Sequence, residues 1–332
     1  MFDVATTRKV LAALIMVGMA AVLVLAALEI WQRRTIFPPR RRRLACWNRR
    51  EIAIAYLLTL LVPLLIFEIL KWCRFYIWWY GENPTPENHE LLTRCMLWAY
   101  GLGLPWVVAA VMGWLALRGH RPWQYGLTTW RLAQSIAAGA LAWCVLTPAV
   151  FLINVAVVWL YVVVLKSDPQ RHPLQKLASD ASSVEWILIA IIAVVKAAVE
   201  EELIFRGLLL PWLEERWWSA PLVWCAALII VAVATTGWLP LVFTGVIGLP
   251  LLLVCIRKDM LPTPQLAILG SSLLFAVAHS NVWPTPIPLF FLGCGLGYLM
   301  QRTRSLFAPM TLHALFNSVS TILMLTGLSD QW

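Results

Sequence analysis

The chain has 332 residues, 61% of them hydrophobic and 13% charged, with 26 Lys and Arg against 17 Asp and Glu for a net charge of +9. An ordinary soluble domain carries roughly 25% charged residues, so a water-soluble globule is excluded and a lipid bilayer is the solvent this composition requires. The positive excess does not point to nucleic acid, because eight Arg fall in one stretch (Arg33, Arg34, Arg40 to Arg43, Arg49, Arg50) with no aromatic-plus-basic recognition motif beside them.

Ten apolar segments follow one another at about 10–30, 52–73, 95–117, 138–164, 184–211, 220–236, 239–256, 264–280, 285–301 and 305–327. Several reach the ~18–20 apolar residues that cross ~30 Å of hydrocarbon. Helix is nearly obligatory there, since lipid offers backbone groups no partner outside the segment. The first run follows Arg8 and Lys9 but is too long for a signal-peptide core, so it reads as a retained anchor. The sixth and seventh are short and joined by Gly237-Trp238-Leu239-Pro240, as a tight hairpin or one broken helix. The expected fold is an all-α polytopic transmembrane bundle of about ten helices, eight to ten with the ambiguous pair.

Charge bias orients the bundle. With the Arg-rich loop 31–51 in the cytoplasm, alternation puts the acidic loop 81–94 (Glu82, Glu87, Glu90) outside. The loop 118–131 (Arg118, Arg121, Arg131), Arg257 with Lys258, and Arg302 with Arg304 then fall inside, as positive-inside bias demands. Both termini would be extracytoplasmic, in a multi-pass protein of a bacterial-type inner membrane. Trp72, Trp78, Trp79, Trp212, Trp217 and Trp218 lie near predicted helix ends, where indoles favour the membrane interface. The seven Cys form no CxxC pair and read as small apolar residues.

The segment 166–183 divides the chain into two parts. Residues 1–183 hold sparse intramembrane charge and no assigned role. Residues 184–328 hold the informative residues and an extra hairpin at about 220–256. A charge inside a membrane helix costs about 2.5–3.5 kcal/mol even on a mild scale, so it usually serves function. The fifth segment contains Lys196, Glu200, Glu201, Glu202 and Arg206. Lys196 with Glu200, and Glu202 with Arg206, are i,i+4 and can neutralise one another. Glu201 has no such partner, which leaves its carboxylate free to act as a general base. Arg206 could instead serve Glu201 or a substrate carboxylate.

Two further segments supply imidazole. Phe275 and His279 are i,i+4 in the eighth, His313 and Asn317 in the tenth, while His89, His120 and His172 fall in predicted loops. Asn317 could orient His313 or donate to a developing oxyanion. At ~1.5 Å per residue, Glu201 lies about 20 Å from Glu214 along its helix, His279 about 24 Å from Thr263, and His313 about 13 Å from Arg304. Those depths allow the three to meet.

Glu201-Glu202-Leu-Ile-Phe-Arg206, Phe275-Ala-Val-Ala-His279 and His313-Ala-Leu-Phe-Asn317 resemble the EExxxR, FxxxH and HxxxN motifs of the CAAX-protease and bacteriocin-processing (CPBP, or Abi) membrane family. The likeness covers about residues 185–325 and extends to Gly207 and Leu306-Phe307-Ala308-Pro309. It implies an intramembrane endopeptidase of the glutamic type, acting on a membrane-embedded or lipidated peptide and needing no cofactor. In that family the first Glu and the FxxxH His activate a water, and the last His and Asn stabilise the oxyanion. Carried over, these are Glu201, His279, His313 and Asn317, with Glu202, Arg206 and Phe275 in support. The hairpin at 220–256 departs from the family pattern, and its even number of crossings preserves orientation.

Other readings share these residues. One Glu and two His form a common zinc set with an open position, although HExxH is absent. A non-enzymatic immunity or scaffold protein could keep the same fold. A transporter could use buried charge, but no inverted repeat is visible.

Overall fold

The computed structural model describes residues 45–170, 173–178, 181–216, 220–234, 242–245 and 263–325. The retained-anchor segment, most of the Arg cluster and most of the seventh apolar segment lie outside those residues. Within them the chain is helical, with no strand. The helices are α1 (Arg49–Trp72), α2 (Phe75–Tyr80), α3 (His89–Leu117), α4 (Leu132–Val164), α5 (Pro173–Ala178), α6 (183–215), α7 (Ala220–Ala234), α8 (Thr263–Val277), α9 (Pro286–Thr303) and α10 (Phe307–Leu325).

Local sequence starts the helices where their orphan N–H groups need partners. Asn48 accepts from Arg50 N and Glu51 N while Glu51 returns to Asn48 N, so α1 opens on a capping box. Ser182 and Glu185 form the same box at the start of α6. Past their caps α1, α3, α4 and α10 are long and apolar enough to cross a membrane. On α1 the side chains Leu57, Leu60, Leu61, Leu64, Leu65 and Ile69 are exposed, and α4 exposes Leu141, Leu152 and Val155. Apolar faces of that extent need lipid to cover them, which makes this an integral membrane protein.

Small residues set the closest helix contacts, as is common where lipid removes the hydrophobic drive for association. A Cβ on Gly139 of α4 would lie 2.4 Å from Ala308 O and 2.7 Å from Thr311 Cβ on α10. On α9, a Cβ on Gly293 would meet Ser272 Cβ of α8 at 3.0 Å. Helices α8 and α9 thus form a close antiparallel hairpin, with α10 against α4 beside it.

One apolar core crosses the boundary at 183. Trp47, Ala55, Val107, Val111 and Tyr125 pack with Leu203, Ile204, Phe205 and Leu208. Ion pairs add to this, one across the boundary (Arg94 with Glu185) and one within the C-terminal part (Arg304 with Glu214). Arg94 Nη1 donates to both oxygens of Glu185 at 3.1 Å, and Arg304 Nη1 lies 3.0 Å from Glu214 Oε2. Arg304, read from sequence as a charge of the cytoplasmic loop, is therefore a buried partner of the α6 helix.

α6 carries a feature the sequence does not announce. Two π-helical stretches, Ile191–Lys196 and Leu203–Leu209, flank the α-helical Ala197–Glu202. π-Turns inside α-helices are rare and concentrate at functional sites.

Candidate active site

The three consecutive glutamates occupy the α-helical turn between the π-stretches, and their surroundings differ. Glu200 contacts Lys196 as an ion pair, both side chains buried. Glu202 Oε1 accepts from Arg206 Nη1 at 3.1 Å, and neither side chain has any exposed surface. Glu201 is 26% exposed, has no cation from its own helix, and its Oε2 has no hydrogen-bond partner among the described residues. The i,i+4 pairing read from the sequence therefore holds in space.

Two imidazoles converge on Glu201. His279 Nε2 lies 3.8 Å from its Oε1, and His313 Nε2 lies 3.9 Å from its Oε2. Both distances exceed a hydrogen bond, so the three groups face one another across a narrow gap. Their other ring nitrogens fix their orientation. His279 Nδ1 is 2.9 Å from Phe275 O, and His313 Nδ1 is 2.8 Å from Glu202 Oε1. A carbonyl and an ion-paired carboxylate are acceptors, so each Nδ1 carries a proton by inference, and Nε2 is left to face Glu201.

His279 is not inside its helix. α8 ends at Val277, and His279 lies in the hairpin turn before α9, with His279 N donating to Ala276 O and Ser280 N to Val277 O. The end of α8 at Val277 brings the turn, and His279 with it, to the level of Glu201.

Phe275 connects the parts. Fully buried, it lies under the Arg206 guanidinium with 4.4 Å from Cζ to ring centroid, and meets His313 edge-on at 5.7 Å. Its ring is 5.2 Å from that of His279 and 5.5 Å from Phe205. Arg206 Nη2 also donates to Gly293 O at 3.2 Å, bringing in α9. Asn317 does not bond to His313. Its amide donates to Ala193 O at 2.8 Å, in the first π-stretch. The second π-stretch is held from the N-terminal part, where Trp47 Nε1 donates to Leu208 O at 2.8 Å. Neither backbone acceptor was legible beforehand, since only the widened helix turns explain why those carbonyls are free for side chains.

No group of three His, Cys, Asp or Glu among the described residues is arranged to hold a metal ion. The arrangement supplies a carboxylate with no cationic partner, two imidazoles oriented on it, and an amide one helix turn beyond His313. Residues 183–266 and 259–319 match the model of a family described as type II CAAX prenyl endopeptidase, Rce1-like. No curated protein and no solved structure matches the chain significantly.

Proposed function

We propose, from the match of residues 183–319 to the Rce1-like CAAX endopeptidase family, a family of proteases, that the protein is an intramembrane endopeptidase of the glutamic type. The observation that carries the reading is the convergence of His279 Nε2 and His313 Nε2 on the unpartnered carboxylate of Glu201. Glu201, helped by His279, takes a proton from water as its oxygen attacks the scissile carbonyl carbon. The resulting oxyanion accepts from His313 in its imidazolium form, which enters the step with Nδ1–H on Glu202 and Nε2–H toward the oxyanion and keeps both protons throughout. Asn317 contributes the amide N–H not engaged with Ala193 O. Collapse of the tetrahedral intermediate breaks the C–N bond, and the proton first taken from water passes to the leaving amine. An oxyanion donor contributes about 2.7–4 kcal/mol in better-studied acyl transfer.

Substrate class follows from location. The site lies in a bundle with lipid-facing helices, which favours a membrane-embedded or lipidated peptide. The family's description favours prenylated CAAX ends among these. The basic loops and the four long apolar helices support a multi-pass arrangement, and a bacterial-type cytoplasmic membrane is the location proposed for it.

The test is cleavage of a membrane-peptide library, prenylated and unprenylated, by purified wild type and Glu201→Gln, each with and without a zinc chelator. Cleavage by wild type alone, indifferent to chelator, is the expected result. Cleavage lost to the chelator would move the chemistry to zinc. Cleavage retained by the variant would remove Glu201 from it, and no cleavage by folded wild type on any substrate would favour a non-enzymatic role.

A further inference from the structure

Lys196 and Glu200 stand outside the motifs that carry the family likeness, yet both are buried on the helix of Glu201, with Glu200 its immediate neighbour. A buried charge that the chemistry does not use calls for another role. Lys196 Nζ contacts Glu200 Oε2 and lies 5.0 Å from the centroid of the Tyr100 ring on α3. The groups that face Glu200 are Lys196, the neighbouring Glu201 and Tyr100, with Tyr56 of α1 beyond Tyr100. From α10, His313 comes against Glu201 and Glu202 but makes no bond to Glu200.

Three adjacent carboxylates thus occupy one helical turn between two cations. Each cation takes one carboxylate at i,i+4, Lys196 from the N-terminal side and Arg206 from the C-terminal side. What remains is Glu201. We propose that Lys196 is a positioning residue of the site, which holds Glu200 ionised and so makes Glu201 the carboxyl of the run that exchanges the catalytic proton. Without Lys196, Glu200 is a buried carboxylate with no cation. Such a group lowers its cost by taking up a proton, and it then competes with Glu201 for the one the site needs. Tyr100 closes the side of the pair toward α3, so the N-terminal part of the chain helps choose the acting carboxyl.

The measurement is labelling with dicyclohexylcarbodiimide, which adds a protonated carboxyl in an apolar setting and rearranges to a stable N-acylurea, followed by mass mapping of the labelled glutamates. Wild type is expected to leave Glu200 unlabelled. Lys196→Met should place label on Glu200, and Lys196→Arg should not. Glu202, still paired with Arg206, is the control for folding. Label on both Glu200 and Glu202 marks a misfolded variant, and Lys196→Gln then takes its place. Absence of Glu200 label in the folded Lys196 variant, or equal label in wild type, overturns the proposal.

The kinetic arm alone rests on the peptidase reading. With a cleaved substrate in hand, Lys196→Met should lower kcat by about tenfold with little change in KM, less than the ~10²–10⁴-fold expected for loss of the general base itself. Lys196→Met combined with Glu200→Gln should restore most of it, because the competing carboxyl is gone. A double variant as slow as the single one would make the pair merely structural. Labelling decides the proton's address even if wild type cleaves nothing, so failure of this proposal and failure of the peptidase reading give different results.

Discussion

His313 Nδ1 lies 2.8 Å from Glu202 Oε1, the same oxygen that receives Arg206 Nη1 at 3.1 Å. One carboxylate therefore orients an imidazole of the site and neutralises a fully buried guanidinium. Glu201, one residue earlier, does neither. The two neighbours should separate in an experiment that reads stability and activity together. Glu202→Ala strands Arg206 in the core, and losing one partner of a buried pair costs about 3–5 kcal/mol. Glu201→Gln removes no partner and should change stability by about 0.5 kcal/mol or less, while lowering cleavage by about 10²–10⁴-fold. Thermal unfolding in detergent beside a cleavage assay checks both. Equal destabilisation by the two variants would contradict the division of labour.

Phe275 gives a second prediction. Its ring supports Arg206 on one side and meets both His279 and His313. Phe275→Leu keeps an apolar side chain but removes the ring contacts, at a cost of about 1–3 kcal/mol from cation–π, aromatic and packing losses. Because both imidazoles lose a wall, kcat should fall more than KM rises. His279→Ala, in a turn and 27% exposed, should leave the fold intact and abolish turnover. A Phe275→Leu protein with wild-type kcat would reduce that ring to packing.

These contrasts show which parts of the site the sequence could reveal. Charge in apolar helices is conspicuous, and i,i+4 spacing sorted Lys196–Glu200 and Glu202–Arg206 correctly, although only the glutamates lie in the α-helical turn 197–202 and each cation sits in a flanking π-stretch. The π-stretches on either side were invisible. They alter register without leaving a compositional mark, and a helix apolar on most faces offers no periodicity to break. His279 was read inside a helix and lies in a turn. The four-residue spacing from Phe275 still had meaning, since Nδ1 reaches the Phe275 carbonyl across that turn. The N-terminal part gave no signal for its role in the site, because its link to α6 rests on single residues such as Trp47 and Tyr100 rather than on a motif. For Asn317 the sequence left two partners open, and the structure has it on a third, Ala193 O.

Close helix contact gives a third prediction. Gly139 faces the backbone of α10 at Ala308, whereas a Cβ on Gly295 would meet Leu146 Cδ2, the end of a flexible side chain, at 2.1 Å. A backbone oxygen 2.4 Å away cannot rotate aside, so Gly139→Ala must push α10 from α4. Gly139→Ala should cost about 1–3 kcal/mol, the range for overpacking, and displace the helix that carries His313 and Asn317. Gly295→Ala should be nearly silent once Leu146 changes rotamer. Unfolding temperatures that rank the two the other way would show that the α4–α10 approach is looser than this geometry.

The last prediction concerns the join between the two parts of the chain. Glu185, at the start of α6, accepts from Arg94 Nη1 at 3.1 Å, from Tyr80 OH at 2.9 Å, and from Ser182 N and Oγ at 2.8 Å each. Trp98 Nε1 donates in turn to Tyr80 OH at 3.0 Å, so α2, α3 and α6 share one polar cluster. Arg94→Leu leaves the buried Glu185 carboxylate with neutral donors only and should cost about 3 kcal/mol or more. Arg94→Leu with Glu185→Leu removes both charges and replaces them with apolar bulk, and such paired replacements are often neutral or stabilising. The double variant should therefore unfold at a higher temperature than the single one, despite carrying more substitutions. It also discards a capping box at the α6 N-terminus, worth about 1 kcal/mol, so recovery should be incomplete by roughly that amount. If the double variant is instead the less stable by several kcal/mol, the cluster contributes net stability through its full hydrogen-bond set, and Arg94 is more than a counter-charge to Glu185.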